Sequence, residues 1–166
     1  ARLLILGEDD DGGTGYRRVL EAKVAELGLG DRVALPGATD EGRVVEALLG
    51  AHLFVLPSHD EALSVAIMEA MACGLPVVAT AVGGVRELVT HGENGVVVPA
   101  REPAQLARAI QALARGPARA ITLAMAGRRR VERDFDAARG AETLLREAGL
   151  RPPPPDGDGL PPGPPR

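Results

Sequence analysis

Residues 54–99 form the stretch that most constrains the fold of this chain. An apolar segment covers residues 53–56, a helical pattern covers residues 64–73, and a second apolar segment covers residues 76–80. A strand, a helix and a strand within about 30 residues form a βαβ unit, which implies parallel strands joined by a right-handed crossover. The sequence therefore predicts an α/β fold with a mostly parallel sheet.

Two carboxylates interrupt the apolar character of this unit. The helix at residues 64–73 is apolar over most of its surface, so we expect it to be buried against the sheet. Glu61 precedes this helix and Glu69 lies within it. A buried carboxylate is costly unless it is paired or hydrogen-bonded, which makes both side chains candidate functional groups. The structural alternatives are that Glu69 caps backbone N–H groups and that Glu61 is a helix N-terminal charge.

The alternation of strands and helices continues over the rest of the chain. Apolar periodicity and turn residues predict further strands at 3–6, 33–35 and 96–98, and further helices at 16–27, 41–49, 85–90, 103–113, 118–133 and 137–148. This alternation predicts an α/β layer fold with a mostly parallel sheet over residues 1–150. Residues 151–166 are rich in Pro and Gly, which predicts a disordered tail.

Composition argues against several classes of function. The net charge of −4, without a basic stripe, argues against nucleic acid as a partner. No apolar run approaches about 18 residues, so no transmembrane helix is expected, and the N-terminal apolar segment is too short for a signal peptide. A lone cysteine, Cys73, argues against disulfides, fits a reducing cytoplasm and is expected to be a small core residue. His59 and His91 lack partners at metal-ligand spacing, and His52 lies in an apolar segment, so all three are expected to be non-catalytic.

Residues 57–99 also carry a long motif. Glu61 and Glu69 have E-x7-E spacing, and the second glutamate opens an E-A-M-A-x-G-x-P-V-V run. The remaining positions of the motif are Gly74, Pro76, Gly83, Gly84, Glu87, Gly92, Gly95 and Pro99. E-x7-E alone is weakly specific, whereas the full run is highly specific.

This motif resembles the donor-binding signature of the retaining, family-four glycosyltransferases of the GT-B fold (glycosyl transferases group 1). The likeness extends more loosely from Leu3 to about Leu145, and it includes the strand that ends at Gly37 and the aromatic Phe135 before the closing helix. The resemblance implies that the chain is the C-terminal, donor-binding half of a GT-B enzyme, with residues 1–150 forming a Rossmann-like, three-layer α/β/α domain.

The resemblance also implies a reaction and a site. A glycosyl group would pass from a nucleoside-diphosphate sugar to an acceptor, with retention at the anomeric carbon and with no cofactor or obligatory metal. Glu61 would be the catalytic residue that holds hydroxyls of the donor sugar, and Glu69 would bind the ribose diol. Carboxylates suit diols because each oxygen accepts hydrogen bonds. The other donor-binding residues would be Gly37, Ala38, Ala62, Leu63, Ser64, Gly83 and Gly84, with the backbone of Gly37 and Ala38 meeting the base.

The chain departs from the family pattern in two ways. Ala62, Leu63 and Ser64 stand where the family often has Gly-Phe-Gly. The family's phosphate-binding Arg and Lys precede Leu3, and the N-terminal acceptor domain is missing too, so we expect a fragment that is inactive alone. A start at Ala1 in mid-pattern fits this expectation. Any peripheral membrane association would come through the missing half, and scarce lysine with abundant arginine, alanine and glycine indicates a bacterial source.

Other functions stay open at this point. Glu61 and Glu69 could form the acid/base pair of a glycoside hydrolase, although the expected burial of Glu69 argues against that. The chain could also be a non-catalytic domain that binds sugar nucleotides or another protein, or part of a GT-B epimerase or phosphorylase. The sequence leaves open the sugar, the nucleotide, the acceptor and the oligomeric state.

Overall fold

The computed structural model describes residues 1–7 and 15–148 of the 166-residue chain. The chain divides into two compact units, Ala1–His52 and a second unit that begins at Leu53. Both contain parallel strands and helices, so the predicted α/β class is confirmed. A single domain over residues 1–150 stays a prediction, and the tail expected at 151–166 lies outside the described residues.

The described residues of the first unit form two strands and two helices: β1 (Leu3–Leu6), α1 (Tyr16–Glu26), β2 (Val33–Gly37) and α2 (Glu41–Gly50). β1 and β2 are parallel, with Leu3 opposite Val33. Helix α2 starts where the sequence predicts, because the Asp40 carboxylate accepts a hydrogen bond of 2.9 Å from the backbone N–H of Arg43.

The second unit holds the remaining elements: β3 (Phe54–Leu56), α3 (Val65–Ala72), β4 (Val77–Thr80), α4 (Val85–Leu88), β5 (Val96–Val98), α5 (Pro103–Arg115), α6 (Pro117–Asp134) and α7 (Ala137–Glu147). Its three strands are parallel, in the order β3-β4-β5. The βαβ unit predicted from residues 53–80 is therefore confirmed, and β4 lies between its two neighbours.

The core of the second unit surrounds β4. All four residues of this strand are buried, and α3 and α6 pack on each other. Gly127 on α6 allows this close approach, since a Cβ there would lie 3.1 Å from the Cγ atom of Met71. Cys73, expected in the core, is only half-buried, because it is the C-cap of α3 rather than part of its packed face.

Candidate functional site

The connection from β3 to α3 lies at the carboxyl edge of the three-stranded sheet. Ligands of open parallel sheets bind beyond this edge, where the loops that follow neighbouring strands meet. Thr80, the last residue of β4, fixes the start of the connection because its hydroxyl donates a hydrogen bond of 2.5 Å to the carbonyl of Ser58. Three residues further along this connection stands Glu61, which is half-buried.

The turn after β4 packs directly against the backbone at Glu61. The N–H of Gly84 lies 3.2 Å from the carbonyl oxygen of Glu61 and donates a hydrogen bond of 2.7 Å to that of Ala62. A Cβ at Gly83 would overlap the Glu61 carbonyl, and a Cβ at Gly84 would overlap the Ala62 carbonyl. Gly83 also has a φ of +44°, a conformation that L side chains rarely adopt. The structure therefore brings together four predicted site residues, through contacts that require both glycines.

Ser64 acts as the N-cap of α3 instead of its first helical residue. Its hydroxyl accepts a hydrogen bond of 3.3 Å from the N–H of Ile67, and the side chain is buried. The neighbouring Leu63 is exposed. A capped helix start still presents free N–H groups in its first turn, and these favour an anion.

Replacing Ser64 with alanine is expected to lower the free energy of unfolding by about 1 kcal/mol, because the capped N–H of Ile67 loses its partner. Urea denaturation measures the change. Thr122→Ala is the control, since the Thr122 hydroxyl makes an exposed bond within α6 and its loss should change stability by less than about 0.5 kcal/mol. Equal stability of the two variants would contradict the capping role of Ser64.

Glu69 is exposed, so the expectation of a buried carboxylate is wrong. Helix α3 buries one face only: Ile67, Ala70 and Met71 are fully buried, while Val65 is 61% exposed. Glu69 lies four residues after Val65 and shares its outer face. The expected burial of Glu69 was the argument against a hydrolase acid/base pair of Glu61 and Glu69, and that argument no longer applies. Among residues 1–7 and 15–148, neither Glu61 nor Glu69 has a side-chain hydrogen bond or ion pair, so both carboxylates can accept hydrogen bonds from a ligand.

Gly37 and Ala38 belong to the first unit. Gly37 is buried and ends β2, and its carbonyl accepts a hydrogen bond of 3.1 Å from the N–H of Gly7. Ala38 follows and is exposed. The contact of both residues with a nucleotide base stays a prediction.

Sequence reasoning missed Asn94, which organises the turn between α4 and β5. Its buried side chain accepts a hydrogen bond of 2.7 Å from the N–H of Thr90 and donates one of 2.9 Å to the carbonyl of Leu88. The signal that could have identified it is the Asn-Gly pair at residues 94–95, which is typical of turns.

Two further findings concern membranes and metals. No helix in the described part of the chain is long and apolar enough to cross a membrane. Within the same residues, no group of three or more His, Cys, Asp or Glu side chains is arranged to hold a metal ion.

Comparison with known families and proteins gives consistent results. The model of the family described as glycosyl transferases group 1 matches residues 1–130. The D-inositol 3-phosphate glycosyltransferase of Xylanimonas cellulosilytica is 36% identical over 144 residues, which are 87% of this chain and 34% of that protein. The enzyme of the same name from Geodermatophilus obscurus is 40% identical over 136 residues, or 80% of this chain and 29% of that protein. The chain thus spans about a third of the length of these relatives.

Solved structures of known proteins are similar to this chain as well. Sucrose-phosphate synthase from Thermosynechococcus elongatus superposes with a TM-score of 0.79 at 37% identity, over 89% of this chain and 38% of that one. Anabaena HepE in complex with UDP-glucose gives a TM-score of 0.83 at 27% identity, over 89% of this chain and 40% of that one. The C-terminal domain of a Francisella tularensis glycosyl transferase group 1 family protein shares the fold, with a TM-score of 0.75 at 23% identity over 82% of this chain and 70% of that one.

Proposed function

The chain belongs to the glycosyl transferases group 1 family, and from this we propose that it binds the nucleotide-sugar donor of a retaining glycosyltransferase. The observation that carries the proposal is the backbone contact between Gly83-Gly84 and Glu61-Ala62. This contact fixes Glu61, whose carboxylate is unpaired among the described residues, at the edge of the sheet where ligands bind. The HepE structures support the choice of ligand, because they hold UDP or UDP-glucose.

Each part of the site has a proposed role toward the donor. Glu61 accepts hydrogen bonds from hydroxyls of the sugar, and Glu69 accepts them from the ribose diol, at about 1.5–3 kcal/mol for each charged hydrogen bond. The first turn of α3, capped by Ser64, faces the diphosphate and contributes roughly 0.3–1 kcal/mol through its dipole. The backbone of Gly37 and Ala38 meets the base.

In the proposed reaction the bond between the anomeric carbon and the diphosphate oxygen breaks, and the acceptor oxygen bonds to the same face of the sugar. The proton of the acceptor hydroxyl passes to the leaving diphosphate. The protein supplies positioning and electrostatic stabilisation, without a protein nucleophile, a metal or another cofactor. We place the reaction in the cytoplasm, in keeping with the lone, half-buried Cys73.

We also propose that this chain alone does not transfer the sugar. It spans about a third of the length of its relatives, and an acceptor, such as the D-inositol 3-phosphate in their names, would be bound by the remainder. The dissociation constant for the donor should then be high-micromolar to millimolar, roughly −4 to −6 kcal/mol. Submicromolar binding of a donor would contradict this expectation.

Saturation-transfer NMR of the 166-residue chain with UDP-glucose, GDP-glucose and ADP-glucose tests donor binding. We expect ribose and base signals from one of the three nucleotide sugars, and UDP-glucose is the expected one because the HepE structures hold UDP or UDP-glucose. Glu69→Gln should weaken binding about tenfold, because one charge-assisted hydrogen bond to the ribose is lost. Glu46→Gln is the matched control, since Glu46 is an exposed glutamate on α2, and it should leave the signals unchanged.

Two outcomes would refute parts of this proposal. If a folded sample gave no saturation-transfer signal with any of the three nucleotide sugars, donor binding would be overturned. Undiminished signals from Glu69→Gln would overturn the ribose role of Glu69 but not donor binding itself. Release of sugar from aryl glycosides would instead support Glu61 and Glu69 as a hydrolase pair.

A further inference from the structure

An open cavity of about 500 Å³ lies in the second unit, on the β5 side of β4. Its volume is within the range of small-molecule sites. Its lining comes from α4, the turn between α4 and β5, and the carboxyl ends of β4 and β5. Of the residues that the structure describes, none from β3, the 57–64 connection or α3 lines it, so this cavity is separate from Glu61 and Glu69.

Arg86 and His91 give the cavity its polar side. The Arg86 guanidinium is exposed and has no hydrogen bond or ion pair within residues 1–7 and 15–148. His91 is held to β5 through one ring nitrogen: its Nδ1 atom lies 2.9 Å from the carbonyl oxygen and 3.1 Å from the backbone nitrogen of Val97. The other ring nitrogen, Nε2, has no partner in the described part of the chain, so it can meet a ligand. The Arg86 guanidinium and the Nε2 atom of His91 are therefore both available to a ligand in one cavity.

Apart from Thr90, apolar side chains form the rest of the wall. Val89 and Val98 are almost fully buried, and Pro99 closes the side next to β5. The carboxylates nearest in sequence, Glu87 and Glu93, do not line the cavity, so its charged side is cationic. Guanidinium donors fit the oxygens of phosphate, and the apolar wall offers a packing surface to the carbon body of a ligand.

We propose that this cavity binds a phosphorylated small molecule, with the phosphate on Arg86 and His91 and the carbon body against Val89, Val98 and Pro99. This site is additional to the donor site and does not rest on the proposed function. It opens at the same carboxyl edge, beyond β4 and β5, whereas Glu61 follows β3.

Amide NMR spectra of the 166-residue chain, titrated with glycerol 3-phosphate, inorganic phosphate and glycerol, test the proposal. Glycerol 3-phosphate should produce saturable shifts at residues 89–92 and 97–100 and leave residues 61–69 unchanged. Inorganic phosphate should bind more weakly because it lacks the carbon body, and glycerol should produce no saturable shift.

Arg86→Gln should weaken binding of glycerol 3-phosphate at least about tenfold, the factor expected for one lost charge-assisted hydrogen bond. Arg86→Lys keeps the charge but not the guanidinium fork, so an intermediate loss is expected. Arg108→Gln is the control, because Arg108 is an exposed arginine on α5. This variant should bind glycerol 3-phosphate as the parent chain does. Because Arg86 is exposed, none of these changes should disturb folding.

Three results would overturn the proposal: no saturable shift with either phosphate compound, shifts confined to residues 61–69, or equal binding by Arg86→Gln and Arg108→Gln. Lactate, which carries a carboxylate instead of a phosphate, is a further comparison. Equal binding of lactate and glycerol 3-phosphate would overturn the preference for phosphate. A parallel titration with UDP-glucose separates the two sites, since donor shifts at residues 61–69 should persist in Arg86→Gln.

Discussion

Replacement of Gly84 by alanine is expected to lower the free energy of unfolding by about 3 kcal/mol and to abolish donor binding. The added Cβ would overlap the carbonyl oxygen of Ala62, and this neighbour is backbone rather than a flexible side chain. Gly84 has a φ of −74°, which alanine adopts readily, so the cost comes from the overlap and from the displaced hydrogen bonds to Glu61 and Ala62. Overpacking alone costs about 1–3 kcal/mol, and the lost hydrogen bonds add to it.

Urea denaturation of Gly84→Ala and of the control Gly30→Ala measures this effect. A Cβ at Gly30 would meet no atom within 4 Å, so that variant should stay within about 0.5 kcal/mol of the parent chain. Saturation-transfer signals from UDP-glucose should vanish in Gly84→Ala and persist in Gly30→Ala. If both variants were equally stable and bound donor equally, the turn after β4 would not position Glu61. The main support for the proposed donor site would then be lost.

The secondary structure was predictable because local chemistry sets its limits. Helix α2 begins after Asp40, whose side chain caps it, and α3 is followed by Gly74, which has a φ of +74°. β5 has the predicted bounds because its three valines stand between turn residues and a proline. The ends of these elements therefore follow from residues that lie next to them in the sequence.

The exposure of Glu69 was not predictable from composition. An eight-residue helix with mostly apolar side chains does not reveal which of its faces will be covered. Packing against α6, β3 and β4 decides this, and it buries Ile67, Ala70 and Met71 while leaving Glu69 outside. Of these three elements, α6 lies far along the chain from α3, so the residues in and around α3 do not reveal this contact.

The candidate site was predictable only in part, because its contacts join residues that are separated in the sequence. The motif identified Gly83 and Gly84, and a pair of glycines after a strand indicates a close backbone approach, but the carbonyls of Glu61 and Ala62 as partners emerge only in three dimensions. The joint lining of one cavity by Arg86 and His91 also depends on where α4 and the following turn lie on the sheet. The roles of all these residues toward a ligand stay predictions.

Asn94→Ala is expected to lower the free energy of unfolding by about 2–3 kcal/mol. The amide side chain is 7% exposed and bonds both the N–H of Thr90 and the carbonyl of Leu88. Alanine leaves the N–H of Thr90 and the carbonyl of Leu88 without these partners. Leu88 is buried, and an unsatisfied buried group costs about 1–3 kcal/mol. Gln111→Ala removes an exposed amide from α5 and should have little effect on urea denaturation, whereas a matching loss in both variants would contradict the structural role of Asn94.

The same Asn94 variant also distinguishes the two sites. Asn94 holds the turn that carries Thr90 and His91 into the cavity, so its loss should weaken binding of glycerol 3-phosphate. The turn at Gly83-Gly84 has its own hydrogen bonds to Glu61 and Ala62, so UDP-glucose should still bind the folded fraction of the protein. Simultaneous loss of both ligands from folded Asn94→Ala would mean that the cavity and the donor site form one cooperative structure, whereas selective loss of glycerol 3-phosphate is the result that two separately built sites require.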